Sequence, residues 1–201
     1  MTTELILASG SRARRQMLEA AGVRFQVVPA DVDEDAHRLS ISEHDVHGGP
    51  ARVAQVLARV KAEEVSRRFP QALVIGGDQV LALGREIFTK PADLGAARVC
   101  LERLSAQMHQ LHSAVALASA GAQVWSHLDT ASLTMRLLSP AFVDEYLHRA
   151  GERVCSSVGA YELEGLGIQL FERVEGDYFT ILGLPLLPLL AQLRRMSAIP
   201  T

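Results

Sequence analysis

The chain has 201 residues, 48% of them hydrophobic, and a net charge of −3 with acids and bases mixed along its length. That size suits one domain with a sizeable core, and the balanced charge excludes the basic footprint of a duplex-binding protein, so no nucleic-acid partner is expected. Two cysteines, Cys100 and Cys155, are too few for a disulfide framework and suit a reducing cytoplasm.

Met-Thr-Thr-Glu leads straight into a short apolar strand, Leu5–Leu7, so no signal peptide is expected. Ser11 then caps a helix whose inward face is Arg14, Met17, Leu18 and Ala21, ended by Gly22. A short strand at Phe25–Val28 precedes an acidic loop, Asp31–Asp35, and a glycine-rich stretch to Pro50. Residues 51–68 read as a helix with Val53, Leu57, Val60 and Glu64 along one stripe and Ala54, Ala58 and Lys61 beside it. "ALVIGGD" reads as a buried strand that two glycines interrupt at its end, and 92–104 as a helix. Strands at 110–118 and 122–136 flank a turn at Ala120-Gly121-Ala122, as in a hairpin. The next helix has Ser139 as cap, Pro140 in its first turn and Gly151 just past its end. "GAYELEGLG" leads to a strand at 168–174, and "GDYFTILGLP" to a terminal helix near 185–196. The longest apolar stretch, Ile181–Ala191, is too short to span a bilayer and holds two prolines, so no membrane association is expected. Interleaved helices and strands with an antiparallel pair make the class α/β with a mixed sheet.

Three arginines, Arg12, Arg14 and Arg15, crowd a helix start that the backbone dipole already makes positive. Arg12 and Arg15 line up with Gln16 and Glu19 and read as surface charges paired along the helix. Arg14 continues the inward face; with Ser9, Ser11 and the free N–H groups of the turn it could hold phosphate oxygens, and a buried structural arginine is the equal alternative. Asp78 closes the strand "VIGGD", where a carboxylate can bind Mg²⁺ or take a proton from water, or simply finish a turn. Glu34 lies in a loop that could be solvated surface. The spacing Asp31, Asp33, Asp35 fails as a calcium loop, because Ala36 stands where glycine is required and Ser42 where a bidentate glutamate is. Lys61 either snorkels to water or reaches a cavity to neutralise phosphate. Lys90, before Pro91, is extended and could make a phosphate contact. His109 and His112, three apart on a strand, face opposite sides and cannot share an ion; with His44 and His47 they read as structural or exposed. These residues point to a phosphate-ester substrate without specifying the reaction.

Taken in order, "LILASGSRARRQML", "VDED", "ARVKAEEV", "VIGGDQVLALGREIFTKPAD" and "GAYELEGLGIQLFERVEGDYFTILGLPL" resemble the Maf family of nucleoside triphosphate pyrophosphatases from about residue 4 to residue 195. The resemblance implies a single two-lobed domain over 1–201. In it a long mixed β-sheet is clasped by two α/β lobes, as in Maf and ITPase-like proteins, with the active-site cleft between them. It implies cleavage of a nucleoside triphosphate between its α- and β-phosphates, dependent on a divalent metal cation, Mg²⁺ or Mn²⁺, in a cytoplasmic homodimer. By motif, Ser9, Arg14, Glu34, Lys61, Asp78 and Lys90 fall on the family's active-site positions. Asp78 would bind metal and activate water, Glu34 would assist at the metal, and Lys61, Lys90 and Arg14 would offset phosphate charge. The chain departs from the family pattern at Arg12, at Thr89 and at Ala114, none of which removes a charged group.

The family divides by nucleobase, one branch favouring dTTP and UTP and another 7-methyl-GTP. Gln79 and Glu164 resemble the second branch, whereas Ala13 and "GAY" lean toward the first. Guanine offers N1–H and its exocyclic amine side by side, two donors that an acceptor-only carboxylate such as Glu164 can meet. The expected substrate is therefore 7-methyl-GTP; the alternatives are a dTTP/UTP pyrophosphatase and a non-catalytic nucleotide-binding regulator of cell division.

Overall fold

A computed structural model describes residues 4–38 and 49–200. It contains one seven-stranded sheet in the order β2-β1-β3-β5-β6-β7, with β4 paired to β3 off that path. β1 (Leu5–Leu7) pairs in parallel with β2 (Gln26–Val27) and with β3 (Leu73–Leu83), while β3 with β4 (Glu86–Phe88) and β6 (Ala122–Met135) with β7 (Phe171–Glu175) are antiparallel. The sheet is mixed, as expected. The hairpin forms between β5 (Met108–Ser119) and β6, with Ala120 and Gly121 both at positive φ. The helices are α1 (Arg12–Ala20), α2 (Gly49–Arg68), α3 (Leu94–Leu104), α4 (Pro140–Ala150), α5 (Tyr178–Ile181) and α6 (Leu186–Arg195). No helix among the described residues is long and apolar enough to cross a membrane.

The chain forms two compact units: one holds residues up to Gln79, His112–Asp129 and the stretch from Asp177 on, the other Val80–Leu111 and Thr130–Gly176. In the first unit, Leu5, Leu7, Leu73, Ile75, Val115 and Leu117 join Met17 and Leu18 of α1 and Leu186, Leu189 and Leu193 of α6 in one buried cluster. Strand alternation sends Val74, Gly76 and Asp78 the other way, onto α2. There the helix backbone comes so close that a Cβ on Gly76 would fall 2.2 Å from the Ala58 carbonyl oxygen and 2.7 Å from the Ala62 nitrogen. In the second unit, Asp93 and Ser139 cap α3 and α4 by accepting from Ala96 N at 2.8 Å and Phe142 N at 3.2 Å.

Three sequence expectations change. β3 is not interrupted by its glycines but runs on to Leu83, so Asp78 lies in mid-strand. The glycines mark close approach of α2 and of Arg14 and not a break. The acidic segment is not wholly a loop: residues 34–38 are helical, with Asp33 accepting from Ala36 N at 2.9 Å. Residues 168–170, expected to begin the last strand, belong instead to a 3₁₀ turn, Leu166–Leu170, ahead of Phe171, because at Gly167 the chain folds back on the Glu162 carbonyl.

The close approach at Gly76 makes a prediction. Gly76→Ala should lower unfolding free energy by about 2–4 kcal/mol through overpacking. Gly10→Ala, with open space around its Cβ, should change it by less than about 0.5 kcal/mol. Urea titration of both variants measures the difference.

Candidate functional site

Four of the charged residues singled out in the sequence, Arg14, Glu34, Lys61 and Asp78, converge within the first unit. Lys61, on α2 amid Ala58, Ala62 and Val65, does not snorkel outward. It is 8% exposed, and its Nζ lies 2.7 Å from Asp78 Oδ1 and 2.7 Å from Glu34 Oε1. One ammonium thus joins carboxylates from a strand and from the segment after β2. Glu34 is held from its other oxygen as well, Arg38 Nη2 donating to Oε2 at 3.2 Å. Asp78 Oδ2 is buried and has no hydrogen-bond partner among the described residues. Burial pushes the Asp78 carboxyl above its ordinary pKa, and the charges of Lys61 and Arg14 only partly draw it back.

Arg14 is buried on α1, and Gly77 of β3 makes room for it: a Cβ there would sit 3.2 Å from Arg14 Cδ and Nε. Its Nε donates to the Gly183 carbonyl at 2.8 Å and its Nη1 to Ser9 Oγ at 3.1 Å. Ser9 Oγ also accepts from Ser11 N at 3.2 Å, so its own hydroxyl proton points elsewhere. Ser11 Oγ caps the helix by accepting from Arg14 N at 3.4 Å. Burial lowers the Arg14 pKa, and Asp78 and Glu34 oppose that shift by their charge, so Arg14 shares one electrostatic field with both carboxylates. The bland reading of Arg15 holds, its Nε being 2.7 Å from Glu19 Oε1, and Arg12 is exposed. Gln79, next to Asp78, donates through Nε2 to Ser113 Oγ and to the Thr180 and Ile181 carbonyls.

Lys90 and Glu164 belong to the second unit. Lys90 is exposed in the connection from β4 to α3, on the wall of a cavity of about 370 Å³ that it shares with Phe88, Cys100 and Arg103. Glu164 is exposed in the turn after Tyr161, and its charge helps to raise the pKa of Arg153, whose main partner is Glu162 at 2.5 Å. The glycine of "GAY" has a steric reason: a Cβ on Gly159 would fall 2.2 Å from the Tyr161 ring. His109 Nε2 meets Tyr161 Oη at 2.8 Å in the core of this unit and is a structural histidine, as expected. His112 is also buried, while His44 and His47 lie outside the described residues. Among the described residues no group of three or more His, Cys, Asp or Glu side chains could hold a metal ion.

Sequence reasoning missed Arg38, Ser113 and Thr180. Arg38 carried a signal, since it stands four residues after Glu34, but only once Asp33 is recognised as a helix cap. Ser113 and Thr180 carried none, because they meet Gln79 from distant parts of the chain.

As chemistry, the first unit offers a buried carboxylate with a raised pKa and one unpartnered oxygen, a second carboxylate fixed beside it, and two buried cations. Such a set can take a proton and bind an anionic ligand with a hard cation. The Maf family profile, described as Maf-like protein, matches residues 4–196. A 7-methyl-GTP pyrophosphatase of Rhizobium johnstonii is 54% identical over 199 residues, covering 99% of each chain. One of Mesorhizobium japonicum is 53% identical over 199 residues, again covering 99% of each. A nucleoside triphosphate pyrophosphatase of Paramagnetospirillum magneticum is 54% identical over 189 residues, 94% of this chain and 96% of that protein. Among solved structures, a HAM1 protein from Coxiella burnetii overlaps 67% of this chain and 73% of its own at 14% identity and a TM-score of 0.42.

Two stability predictions follow from burial. Because the folded-state pKa of Asp78 is raised, its contribution to stability is fully present below the unfolded value near 3.8 and is lost as pH rises through the folded value. At neutral pH Asp78→Asn should therefore leave Tm equal or higher, and any gain should vanish in acid; a Tm lower by several degrees would mark Asp78 as a structural ion-pair partner. For His109, burial lowers the pKa from 6.5 to about 4. Its stabilising effect is complete above pH 6.5 and should decay by about 3 kcal/mol as pH falls to 4. His109→Gln should flatten that part of the pH–stability profile.

Proposed function

The chain belongs to the Maf-like protein family, and from that premise we propose that it is a nucleoside triphosphate pyrophosphatase whose substrate is 7-methyl-GTP. The reaction is hydrolysis between the α- and β-phosphates, giving the nucleoside monophosphate and pyrophosphate. The observation that carries the chemistry is the Asp78 carboxylate, buried, raised in pKa and, among the described residues, unpartnered at Oδ2 beside Lys61 and Glu34. The substrate assignment rests on the relatives that carry that name at 51–54% identity over 99% of the chain.

In this reading Asp78 Oδ2 receives the proton of the attacking water, and its raised pKa makes it a stronger base than an exposed aspartate. Lys61 fixes the opposite oxygen, so the free one is the reactive one. Arg14, with Nε and Nη1 tied to Gly183 and Ser9, can direct Nη2 to a phosphate oxygen without reorganising. Ser9 Oγ and Ser11 Oγ both accept backbone N–H groups, so the hydroxyl proton of each is left to donate to a ligand oxygen. Lys90 adds a further cation for the triphosphate, while Gln79 and Glu164 are assigned to the base.

The donor set also fits a divalent cation. An orphaned carboxylate oxygen on Asp78 stands next to Glu34, and two carboxylates suffice where phosphate oxygens and water complete a magnesium shell. Mg²⁺ or Mn²⁺ held by Asp78 and Glu34 would supply charge neutralisation and water activation there. The proposal includes a homodimer in the cytoplasm, with which the unpaired thiols of Cys100 and Cys155 agree.

The test is pyrophosphate release from 7-methyl-GTP, GTP, UTP, dTTP and CTP with Mg²⁺ or Mn²⁺. We expect 7-methyl-GTP to give the highest kcat/KM. Asp78→Asn should lower kcat about 10²–10⁴-fold while calorimetry still detects nucleotide binding. Glu164→Gln should shift preference toward UTP. A best rate with UTP or dTTP overturns the substrate, and no release from any triphosphate overturns the enzyme.

A further inference from the structure

The Gln79 amide is held in one orientation. Its Nε2 lies 2.9 Å from Ser113 Oγ, 3.1 Å from the Thr180 carbonyl oxygen and 2.9 Å from that of Ile181. Carbonyl oxygens only accept, so the NH₂ must face them, and the amide cannot be turned over without opposing oxygen to oxygen. Ser113, fully buried on β5, gives its own proton to the Thr180 carbonyl at 2.6 Å and therefore meets Gln79 with a lone pair. Thr180 is fixed in turn, its N–H donating to Asp177 at the cap of α5 at 3.0 Å.

The other end of the amide is different. Gln79 Oε1 has no donor partner among the described residues, and it looks toward Gly183, where a Cβ would lie 3.5 Å from it and 3.7 Å from Arg14 Nη2. Gly183 holds φ +100, a conformation that excludes most side chains. The absence of a side chain at Gly183 leaves the amide oxygen uncovered on this side.

We propose that Ser113 is a positioning residue for base selection: it holds Gln79 as an acceptor-only reader, so the substrates favoured are those whose base carries a ring N–H. Guanine (N1–H) and uracil or thymine (N3–H) qualify; adenine and cytosine, with unprotonated ring nitrogens at the corresponding places, do not. Thr180 and Ile181 are neighbours and restrain the nitrogen from one side, whereas Ser113 comes from another strand and closes the second side. The inference rests on the pyrophosphatase reading and is independent of which ring-N–H base is physiological.

The experiment compares kcat/KM ratios for 7-methyl-GTP over ATP and for UTP over CTP in the parent, Ser113→Ala, Ser113→Thr, Gln79→Ala and the double Ser113→Ala/Gln79→Ala. The parent should favour the ring-N–H member of each pair. Ser113→Ala should reduce that ratio about tenfold, mainly through KM, and Ser113→Thr should restore most of it. In the Gln79→Ala background, Ser113→Ala should change the ratio less than about twofold, since a residue acting through another adds nothing once that other is gone. In ¹⁵N spectra the Gln79 side-chain amide protons should exchange faster with water in Ser113→Ala. A parent that prefers UTP to 7-methyl-GTP but loses its UTP-over-CTP ratio in Ser113→Ala overturns the proposed substrate and supports this inference. A parent with no preference for ring-N–H bases, an unchanged ratio in Ser113→Ala, or an equal effect with and without Gln79 overturns it.

Discussion

The site depends on one buried ammonium. Lys61 Nζ sits 2.7 Å from a carboxylate oxygen of the buried Asp78 and 2.7 Å from one of the half-exposed Glu34, and it is the cation that compensates Asp78 directly. Arg38 holds the far oxygen of Glu34 and Arg14 lies in the field of both acids, so with both carboxylates ionised the set carries one positive charge in excess, an arrangement suited to an anionic ligand. Its geometry requires α2 to lie hard against β3. The absence of a side chain at Gly76 permits that, because the helix backbone occupies the space a Cβ would take. The apolar stripe Val53, Leu57, Ala58 and Val65 then supplies the burial that keeps the helix there.

On the same strand, Gly77 does for α1 what Gly76 does for α2. It admits the Arg14 side chain, which is tied to Ser9 and to the Gly183 carbonyl and feels the charge of both acids. The "GGDQ" stretch therefore works as a unit: one residue that yields space to the α2 backbone, one that yields it to Arg14, one that brings a carboxylate to Lys61, and one whose amide is anchored on α5. That concentration explains why an arginine can be placed at a helix start at all. Its charge is not left at the N-terminus of α1 but carried inward, to Asp78 and Glu34.

Much of this was legible before any coordinates, and the rest was not for definite reasons. Helix limits followed from caps: Ser11, Ser139 and Gly151 stand where the chemistry of N- and C-termini puts them. Lys61 was ambiguous because a lysine on an apolar flank usually reaches water, and only the position of Asp78 across the helix–strand contact decides otherwise. The glycines before Asp78 were read as a strand end because glycine weakens strands; that they mark close packing depends on which helix crosses there, a tertiary fact. The acidic segment looked like a loop since Asp31, Asp33 and Asp35 dominate its composition, while the helical spacing of Glu34 and Arg38 was hidden among them. Ser113 and Thr180 meet Gln79 across 34 and 101 residues, and no local pattern encodes such a meeting.

The two sides of this site carry opposite stability consequences. The nitrogen end of the amide is compensated: each hydrogen on Gln79 Nε2 has an acceptor, Ser113 both gives and receives, and Thr180 is capped. Such a network rigidifies, which is what discrimination between ring nitrogens of similar shape requires. The carboxylate side is under-compensated, with Asp78 Oδ2 unpartnered among the described residues and its pKa raised by burial. An orphaned buried oxygen lowers stability in the free protein, yet it is the atom that gains most when a proton or a cation arrives. Reactivity and instability at Asp78 thus have one cause, the removal of water from a charge, and the surrounding apolar packing sustains it.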